Sequence, residues 1–463
     1  MKIKVFSVII LLIMILSLTP SSFLQALPVA AATPIYVDGT LGDDNYDGSS
    51  PIPGSGDIGP KQTIQGGQDA VTIGGTIYVA AGTYNEDIWI GDNLTFIGAG
   101  ANTTIISHYP VEVNEPVVQI STEDQPKIVT VTISGFTIRN GSNHDVFSER
   151  CGGGVTVGTD CVAYLNNCAI VENEADKGGG ICNWGTLYLN DCTIDDNNAE
   201  RGGGIYNRGS LHVDRCCVSS NSAQFTGGGL NNYDKGQVWL TNCTISANDV
   251  WEYDWCSGGG IYNESTMAVL NCTIAYNSAA GVSVSVGGGF ADISPTTMTF
   301  KNTIVAHNTA GNDTYNNGNS PEGGVTSLGN NIDSENSCGF DQFSDQIDTD
   351  PQLGPLQNNG GSTATHAITD SSPAFNTGNN EGAPAADQRG VSRPQGISCD
   401  IGAFELEQGE EPEPPPAITV GGEAYPVNKV GLVAPWVILA ISVAVGCFYL
   451  ARRRTHNLIS KWL

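Results

Sequence analysis

Apolar and polar residues alternate over short segments in the middle of this chain, a pattern that predicts β-strands. In one such segment Leu187, Leu189 and Ile194 point one way, whereas Tyr188 and Asn190 point the other way. Similar segments recur along the chain without a helical pattern between them. The pattern therefore predicts an all-β protein built from many short strands.

A triple glycine followed by an apolar residue marks each repeat of this pattern. The six triplets begin at Gly152, Gly178, Gly202, Gly227, Gly258 and Gly287, between 24 and 31 residues apart. A period in the twenties with two short apolar stretches per repeat is typical of a solenoid in which each repeat forms one coil. Leucine-rich repeats share this period, but their Leu-rich consensus is absent. We therefore predict a parallel β-helix over residues 76–310, with successive coils in register.

Identical residues recur at fixed phases of the repeat, and coils that stack about 4.8 Å apart would place them in columns. Two columns are asparagines: Asn183, Asn207, Asn232 and Asn263, and then Asn173, Asn197, Asn221, Asn248 and Asn277. Glycine and asparagine tolerate positive φ, so they are expected at the corners of the coils. Asparagine side-chain amides can also pair between coils.

A third column consists of cysteines, with Asn302 in the sixth place: Cys168, Cys192, Cys216, Cys243 and Cys272. Buried reduced thiols are the favoured interpretation, because cysteine is among the most buried residue types. Disulfides between neighbouring coils and a column of metal ions are the alternatives. Stacked side chains would have to twist to form disulfides, and the usual Cys-x-x-Cys spacing and His partners of a metal site are missing.

Both ends of the chain carry signals for export and anchoring. Lys2 and Lys4, an apolar run over residues 5–18 and three alanines at 30–32 predict a signal peptide over residues 1–32. Residues 430–451 form an uncharged apolar stretch followed by three arginines, which predicts one transmembrane helix and a cytoplasmic tail over residues 452–463. A buried core helix is the alternative. Residues 405–429 are acidic and rich in proline, as expected of a stalk. The prediction is a single-pass type I protein of the cell membrane with an extracellular β-helix.

The chain is strongly acidic, with 48 Asp and Glu against 19 Lys and Arg and a net charge of −29. A surface of this sign repels nucleic acid and anionic lipid headgroups, and it is compatible with Ca²⁺. We therefore expect no nucleic-acid partner.

Three stretches resemble known families. Residues 35–85, which include Thr63-Ile64-Gln65, are similar to the opening of the pectin-lyase-like right-handed β-helix superfamily, and this resemblance implies a cap over residues 33–75 with a short helix. The glycine-triplet and Asn-Cys-Thr-Ile repeats resemble those of polymorphic outer-membrane proteins. Residues 311–404 resemble a choice-of-anchor Q domain, which implies a position just before a membrane anchor. The motifs that carry this last resemblance are Asp348-Thr349-Asp350-Pro351, Asp387-Gln388-Arg389-Gly390 and Cys399-Asp400-Ile401-Gly402.

The superfamily resemblance also implies candidate chemistry, since members that cleave uronic-acid polysaccharides use Ca²⁺ and a Lys or Arg base. Lys177 and Arg201 each precede a glycine triplet and are candidates for that base; a charged corner of the solenoid is the alternative that their phase favours. Four carboxylates at short spacing are candidate Ca²⁺ ligands, with a solvated turn as the alternative: Asp38, Asp43, Asp44 and Asp47.

Two features of the C-terminal domain predict structural roles. Cys338 and Cys399 lie outside the cysteine column and enclose a long loop, so we expect a disulfide between them. Four charged residues are expected to form a salt-bridged turn that closes the last coil: Asp387, Arg389, Arg393 and Asp400.

Two functions from different classes fit these patterns. The first is a non-catalytic surface protein for adhesion or glycan binding, favoured by the tandem regularity and the predicted anchor. The second is a polysaccharide lyase or hydrolase at the cell surface. Both have an extracellular polysaccharide, a surface glycan or a surface protein as partner, and fold alone does not choose between them.

Overall fold

The computed structural model describes residues 33–108, 115–122, 127–144, 151–251, 255–281, 284–293, 297–311, 317–319 and 324–408. The predicted signal peptide, the transmembrane segment, the tail and the stalk beyond residue 408 lie outside these residues and stay predictions. Within the described part of the chain, no helix is long and apolar enough to cross a membrane.

Four parallel sheets form the wall of a solenoid, and each full coil of the chain passes through them in the order sheet 1, sheet 2, sheet 3 and sheet 4. Sheet 1 has 11 strands: Ile35–Val37, Thr76–Val79, Leu94–Gly98, Val129–Ser134, Cys161–Asn166, Thr186–Asn190, Ser210–Asp214, Gln237–Thr241, Thr266–Leu270, Thr297–Lys301 and Gly324–Ser327. Sheet 2 also has 11: Gly82–Asn85, Thr104–Ser107, Thr137–Arg139, Ala169–Val171, Thr193–Asp195, Cys217–Ser219, Thr244–Ser246, Thr273–Ala275, Ile304–Ala306, Ile332–Asp333 and Gln346–Ile347.

Sheets 3 and 4 complete the wall with shorter strands. Sheet 3 comprises Ser142–Asn143, Glu174–Lys177, Asn198–Arg201, Ser222–Thr226, Asp249–Val250, Trp255–Ser257, Ser278–Ala279, Val284–Val286 and Thr309–Ala310. Sheet 4 comprises Ile88–Ile90, Val118–Ile120, Val155–Val157, Ile181–Asn183, Ile205–Asn207, Leu230–Asn232, Ile261–Asn263, Phe290–Asp292 and Gly318–Asn319. The pairing is in register, as predicted: Leu187 pairs with Leu211, and Ile194 with Val218. The inward apolar residues form one continuous core.

A short helix covers the first coils at the N-terminal end, as the superfamily resemblance implies. It spans Ile64–Ala70, and the Thr63 hydroxyl caps it by accepting a hydrogen bond from the Gly66 backbone N–H. Ile64 and Gly67 are its buried residues. Glycine at 67 is required there, because a Cβ would lie 2.6 Å from Val37 Cγ2. Gly67 therefore allows this helix to approach the first strand closely.

The predicted asparagine columns form continuous hydrogen-bonded ladders inside the corners. In one, each side-chain amide donates to the next carbonyl oxygen from Asn183 to Asn263 over 2.7–2.8 Å, and Asn263 donates to Asp292. The other runs from Asn173 through Asn277 to Asn308 and Asn317, where Asn317 donates to Asp333. Positive φ falls one residue earlier than the second ladder, at Glu172 and its equivalents. The asparagines of the second ladder thus stabilise the corner by hydrogen bonding, and the residue before each of them forms the bend in the backbone.

The cysteine column is stacked, buried and free of disulfides. Cys192 N–H donates to Cys216 Sγ at 3.3 Å, and Cys243 N–H donates to Cys272 Sγ at 3.4 Å. The sixth place was predicted for Asn302, and this is wrong by one residue. Thr273 pairs with Ile304, so Thr303 takes the sixth place, and its hydroxyl accepts from Cys272 N–H at 3.4 Å.

Residues 353–408 run back along the outer face of sheet 2. They include an antiparallel pair, Leu356–Gln357 with Thr365–His366, and a second apolar cluster that contains Ile304, Ile332, Ile401 and Phe404. Hydrogen bonds join this C-terminal segment to several coils, for example from Thr244 Oγ1 to Gln388 Oε1 at 2.6 Å. The predicted salt-bridged turn forms in part: Arg389 pairs with Asp387, whereas Arg393 pairs with Glu405 and bonds only the carbonyl of Asp400. It does not close the last coil, because its neighbours Ala386 and Ala403 bond to Asn242 and Thr273 of earlier coils.

Candidate functional site

Four aromatic rings stack along the outer face of sheet 1. Tyr164, Tyr188, His212 and Trp239 occupy the same position in successive strands. The ring centroids are 4.8, 4.6 and 4.3 Å apart, and the interplanar angles are 8°, 9° and 4°. We call these four residues the ring column. It is the longest run of stacked rings among the described residues.

The strand alternation explains why the rings face outward. Leu187 and Leu189 flank Tyr188 in sequence and are fully buried in the core, so Tyr188 must lie on the other face. The in-register coils then hold the next ring one strand spacing away. Offset or parallel aromatic contacts of this kind stabilise by about 0.5–1.5 kcal/mol per pair beyond the buried area. The column is therefore rigid, and the ring edges face solvent.

A second outward column, two residues further along each strand, is polar. It contains Asn166, Asn190, Asp214 and Thr241. Beside it, Arg215 binds Asp191 through two hydrogen bonds, from Nε at 2.9 Å and from Nη2 at 2.7 Å. Its Nη1 also contacts Asp214. Amide, carboxylate and guanidinium groups therefore lie directly next to the rings.

The last three members of each column form one side of a cleft of about 490 Å³: Tyr188, His212 and Trp239, and then Asn190, Asp214 and Thr241. The other side is residues 384–386 of the C-terminal segment. Asn242 fixes this wall, because its Nδ2 donates to the Ala386 carbonyl at 3.1 Å. The cleft thus depends on both the solenoid and the segment that packs against it.

Burial changes the protonation chemistry inside the cleft. Burial raises the pKa of the Asp214 carboxyl, although the nearby Arg215 acts to lower it. Burial lowers the pKa of His212, which favours the neutral imidazole within the column. The hydrogen bonds that Arg215 donates to Asp191 raise the pKa of Arg215, so this guanidinium stays charged. The cleft therefore offers neutral rings, one paired cation and polar oxygens.

Such a site suits a sugar better than an apolar ligand. Aromatic rings contact the C–H groups of a sugar, while amide and carboxylate oxygens accept hydrogen bonds from its hydroxyls. Sequence reasoning missed this site, although a signal was available. Aromatic residues recur at one phase of the repeat, 24, 24 and 27 residues apart, as the positions 164, 188, 212 and 239 show.

The candidate bases Lys177 and Arg201 lie elsewhere. They occupy equivalent positions in neighbouring strands of sheet 3, as their phase predicted. The ring column lies on a different sheet. Lys177 Nζ lies 5.6 Å from the centre of the Tyr206 ring, and Arg201 Cζ lies 5.8 Å from that of Phe225. Both cations therefore cover aromatic rings at a corner, an arrangement that fits the charged-corner interpretation.

The four candidate Ca²⁺ ligands are used separately. Asp38, Asp43 and Asp47 each accept hydrogen bonds from the backbone two residues further on, and Asp44 accepts from Gln62 N–H and Thr63 N–H. The hydrogen bond from Ser49 is the main cause that lowers the pKa of Asp47. Within the described ranges, no three His, Cys, Asp or Glu side chains are grouped so that they could hold a metal ion. The carboxylates thus act as turn acceptors, as in the alternative of a solvated turn.

The predicted disulfide between Cys338 and Cys399 is not formed in this structure. Both thiols are free and buried. Cys338 packs inside the solenoid core, whereas Cys399 lies outside the wall, where Asn302 Nδ2 contacts its sulfur at 3.7 Å. Instead a disulfide joins Cys151 to Cys182, with Cα atoms 5.5 Å apart. Sequence reasoning missed this pair, although Cys151 directly precedes one glycine triplet and Cys182 lies two residues after the next triplet, one coil away.

Comparison with known proteins supports the fold. Residues 117–291 match the family model of the right handed beta helix region. No curated protein shows a significant match. Among solved structures, pectate lyase Pel9A is 13% identical with a TM-score of 0.42, and the match covers 82% of this chain and 97% of that chain.

Two pectin methylesterases are similar at the same level. The enzyme from Aspergillus niger is 16% identical with a TM-score of 0.38, over 67% of this chain and 90% of that chain. PemA from Erwinia chrysanthemi is 13% identical with a TM-score of 0.34, over 68% of this chain and 89% of that chain. Likenesses this distant say nothing about the activity of this chain. The family-model match and the four parallel sheets together show that the chain forms a right-handed parallel β-helix.

Proposed function

We propose that this protein binds polysaccharide at the outer face of sheet 1, without catalysis, as a membrane-anchored protein of the cell surface. The observation that carries the binding proposal is the cleft between the ring column and residues 384–386. Rigid rings and hydrogen-bonding groups are already in place there, so little conformational entropy is lost when a sugar binds. Surface location and anchoring rest on the export signal, the apolar stretch and the three arginines of the sequence.

The ion pairs favour binding over catalysis. Arg215 contacts both Asp191 and Asp214, so each of these carboxylates near the cleft is already paired with a cation. A general base or nucleophile would instead need a carboxylate free to reach the substrate. The charges are therefore arranged to hold the cleft in shape.

One observation favours the second candidate, a polysaccharide lyase or hydrolase. Burial raises the pKa of Asp214 within the cleft, as a general acid requires. In that function Asp214 would donate a proton to the leaving oxygen of a glycosidic bond. The two candidates differ in whether the bound polysaccharide is cut.

The test combines retention and product analysis with the full-length protein on a panel of immobilised neutral and acidic polysaccharides. We expect retention without new reducing or unsaturated ends. Tyr188→Ala should weaken retention about tenfold, which corresponds to about 1.4 kcal/mol. Trp184→Ala is the matched control, because Trp184 contacts Arg208 at a different corner, and it should bind normally.

Each outcome decides between the candidates. Retention that is equal in Tyr188→Ala and in the unmodified protein would contradict binding at this face. New chain ends that vanish in Asp214→Asn would establish the enzymatic candidate instead. Protease treatment of intact cells should release the β-helix and leave a fragment with residues 452–463 inside, as the anchoring proposal requires.

A further inference from the structure

The ring column ends abruptly at both sides, and its ends differ. We use above for the N-terminal side of the solenoid and below for the C-terminal side. Above Tyr164 the same position is held by Thr132, and above that by Thr95 and Thr76. Below Trp239 the next residue in the column is Ala268, followed by Thr299. The lower end therefore steps from the largest side chain in the column to a single methyl group.

This step leaves one face of an indole without a ring partner. Trp239 stacks on His212 with an interplanar angle of 4°, so one face is covered and the other points along the solenoid axis toward Ala268. Neighbouring strands lie about 4.8 Å apart, and a methyl group reaches too short a distance from the sheet to cover a ring. The lower face of Trp239 therefore has Ala268 and no ring beside it, and we call this place in the column the notch, with Ala268 as its floor.

The side of the notch is lined by the second outward column. Leu270 and Lys301 follow Thr241 there. Lys301 is held by the Glu381 carbonyl, to which its Nζ donates a hydrogen bond. Leu270 and Lys301 therefore bound the notch on this side, and Trp239 and Ala268 are both partly exposed.

We propose that one neutral pyranose ring binds in this notch as the fifth member of the stack, on the free face of Trp239. The inference rests on the proposed polysaccharide-binding function and names its mode. The electron-rich indole face attracts the C–H groups of a sugar, as it attracts other partial positive charges. Stacking in the direction of the column places the sugar one strand spacing below Trp239, over Ala268.

The geometry and charge also select the class of sugar. A gluco-configured ring has equatorial hydroxyls, so both of its faces present C–H groups and its edge carries the hydroxyls. Asp214 and Asp191 share one cation, Arg215, so these three groups leave negative charge beside the column, and the chain as a whole carries a net charge of −29, which disfavours a uronic acid. The preferred ligand is therefore a neutral gluco-configured oligosaccharide.

Filling the notch tests the inference directly. Ala268→Phe should extend the column by one ring, occupy the place of the sugar and weaken binding of a soluble neutral β-glucan oligosaccharide at least tenfold. Thr132→Phe is the matched control, because it adds the same ring at the upper end, and it should change the affinity less than twofold. Ala268→Val, a smaller obstruction, should give an intermediate loss even if Ala268→Phe does not fold.

The outcomes separate this inference from the proposed function. If Trp239→Ala loses binding while Ala268→Phe and Ala268→Val bind normally, the notch is not the site, although the face still binds glycan. If oligogalacturonate binds more tightly than the neutral oligosaccharide, the assigned class of sugar is wrong. If the unmodified protein retains no polysaccharide of any kind, the proposed function fails and this inference fails with it.

Discussion

Sheets 1 and 2 belong to the same coils, yet the C-terminal segment buries much of the outer face of sheet 2 and leaves that of sheet 1 partly exposed. On sheet 2, strands Ala169–Val171 and Thr193–Asp195 keep partly exposed outward residues, whereas Cys217–Ser219 and the next three strands are completely buried under the C-terminal segment. On sheet 1, the ring column stays partly exposed alongside the same segment. The repeat therefore builds a uniform wall, and the outward residues decide which face is covered.

The outward residues of the covered face are small and form hydrogen bonds. Thr244 and Ser246 bond to Gln388 and His366, and Thr273 Oγ1 accepts from Ala403 N–H at 3.1 Å. The outward residues of the ring column on sheet 1 are instead flat rings, which offer few hydrogen bonds and a large contact area. The difference explains why the C-terminal segment packs on sheet 2, and the partly exposed rings of sheet 1 are the surface on which the proposed polysaccharide binding depends.

The largest expected effect comes from a buried ion pair that holds the C-terminal segment. Arg393 Nη1 lies 2.9 Å from Glu405 Oε2, and both side chains are almost completely buried. Arg393→Met would leave Glu405 buried without its cation and should lower the free energy of unfolding by about 3–5 kcal/mol. Denaturant unfolding monitored by circular dichroism would measure it.

An ion pair on the open half of sheet 2 is the matched control. Arg139 Nη1 and Glu172 Oε2 are 3.7 Å apart and substantially exposed. Arg139→Met should therefore cost at most about 1 kcal/mol. Equal losses in the two variants would contradict the distinction between the covered and the open half.

A single hydroxyl tests the same distinction at smaller scale. Thr244→Val removes the hydroxyl that donates a hydrogen bond to Gln388 Oε1. The buried Gln388 oxygen then loses this donor. We expect a loss of about 1–3 kcal/mol in the free energy of unfolding. Thr193→Val changes the same column two coils earlier, where the face is partly exposed, and should stay within about 0.5 kcal/mol. A larger loss for Thr193→Val would reverse the comparison.

The smallest effect concerns pH. The His366 ring accepts from the Ser246 hydroxyl at 2.9 Å and donates to the Gly354 carbonyl at 2.7 Å, which suits a neutral imidazole. Burial lowers the pKa of His366, and the nearby His307 lowers it further. The unfolded chain therefore takes up this proton first as the pH falls below about 6.5, and stability is lost by at most about 1.4 kcal/mol per pH unit.

The variant His366→Gln isolates this contribution. Melting temperatures of both proteins measured between pH 7.5 and 5 should diverge from the neutral end, with the unmodified protein showing the steeper decline. Other titrating groups are shared and cancel in the difference. Parallel pH profiles would show that His366 does not contribute.

Local periodicity was enough to predict the solenoid. Features that depend on packing between residues far apart in sequence could not be predicted in this way. The asparagine ladders were predictable because one repeat follows another in register, as Asn197 and Asn221 show. Asn302 was assigned to the cysteine column in error because Thr303 and Ile304 resemble the last two residues of the Asn-Cys-Thr-Ile pattern. In the structure these two residues lie one position earlier in the repeat than that match implies. Asn302 adopts a φ of 50°, like Asn271 at 49°, and a preference of asparagine for that conformation could have corrected it.

The candidate site was less predictable for a physical reason. Asn242 meets Ala386 across 144 residues of sequence, and no periodicity links the two. The cleft exists only where such contacts bring the C-terminal segment beside sheet 1. The charged pairs of that segment were predicted, but the fold decided their partners: Arg393 bonds the carboxylate of Glu405 and only the carbonyl of Asp400.

The two asparagine ladders give the solenoid a direction. In each ladder every side-chain amide donates one hydrogen bond to the next ladder residue toward the C-terminal end, and the last acceptor in this chain of hydrogen bonds is a carboxylate, Asp292 in one ladder and Asp333 in the other. A carboxylate only accepts, so it terminates such a chain as a stop residue, while aligned amides polarise one another along it. Duplication of a coil between Asn197 and Asn248 would keep every donor matched, whereas a coil added after Asp292 would meet an acceptor where it needs a donor. An added coil would therefore fit this ladder better between its asparagines than beyond Asp292.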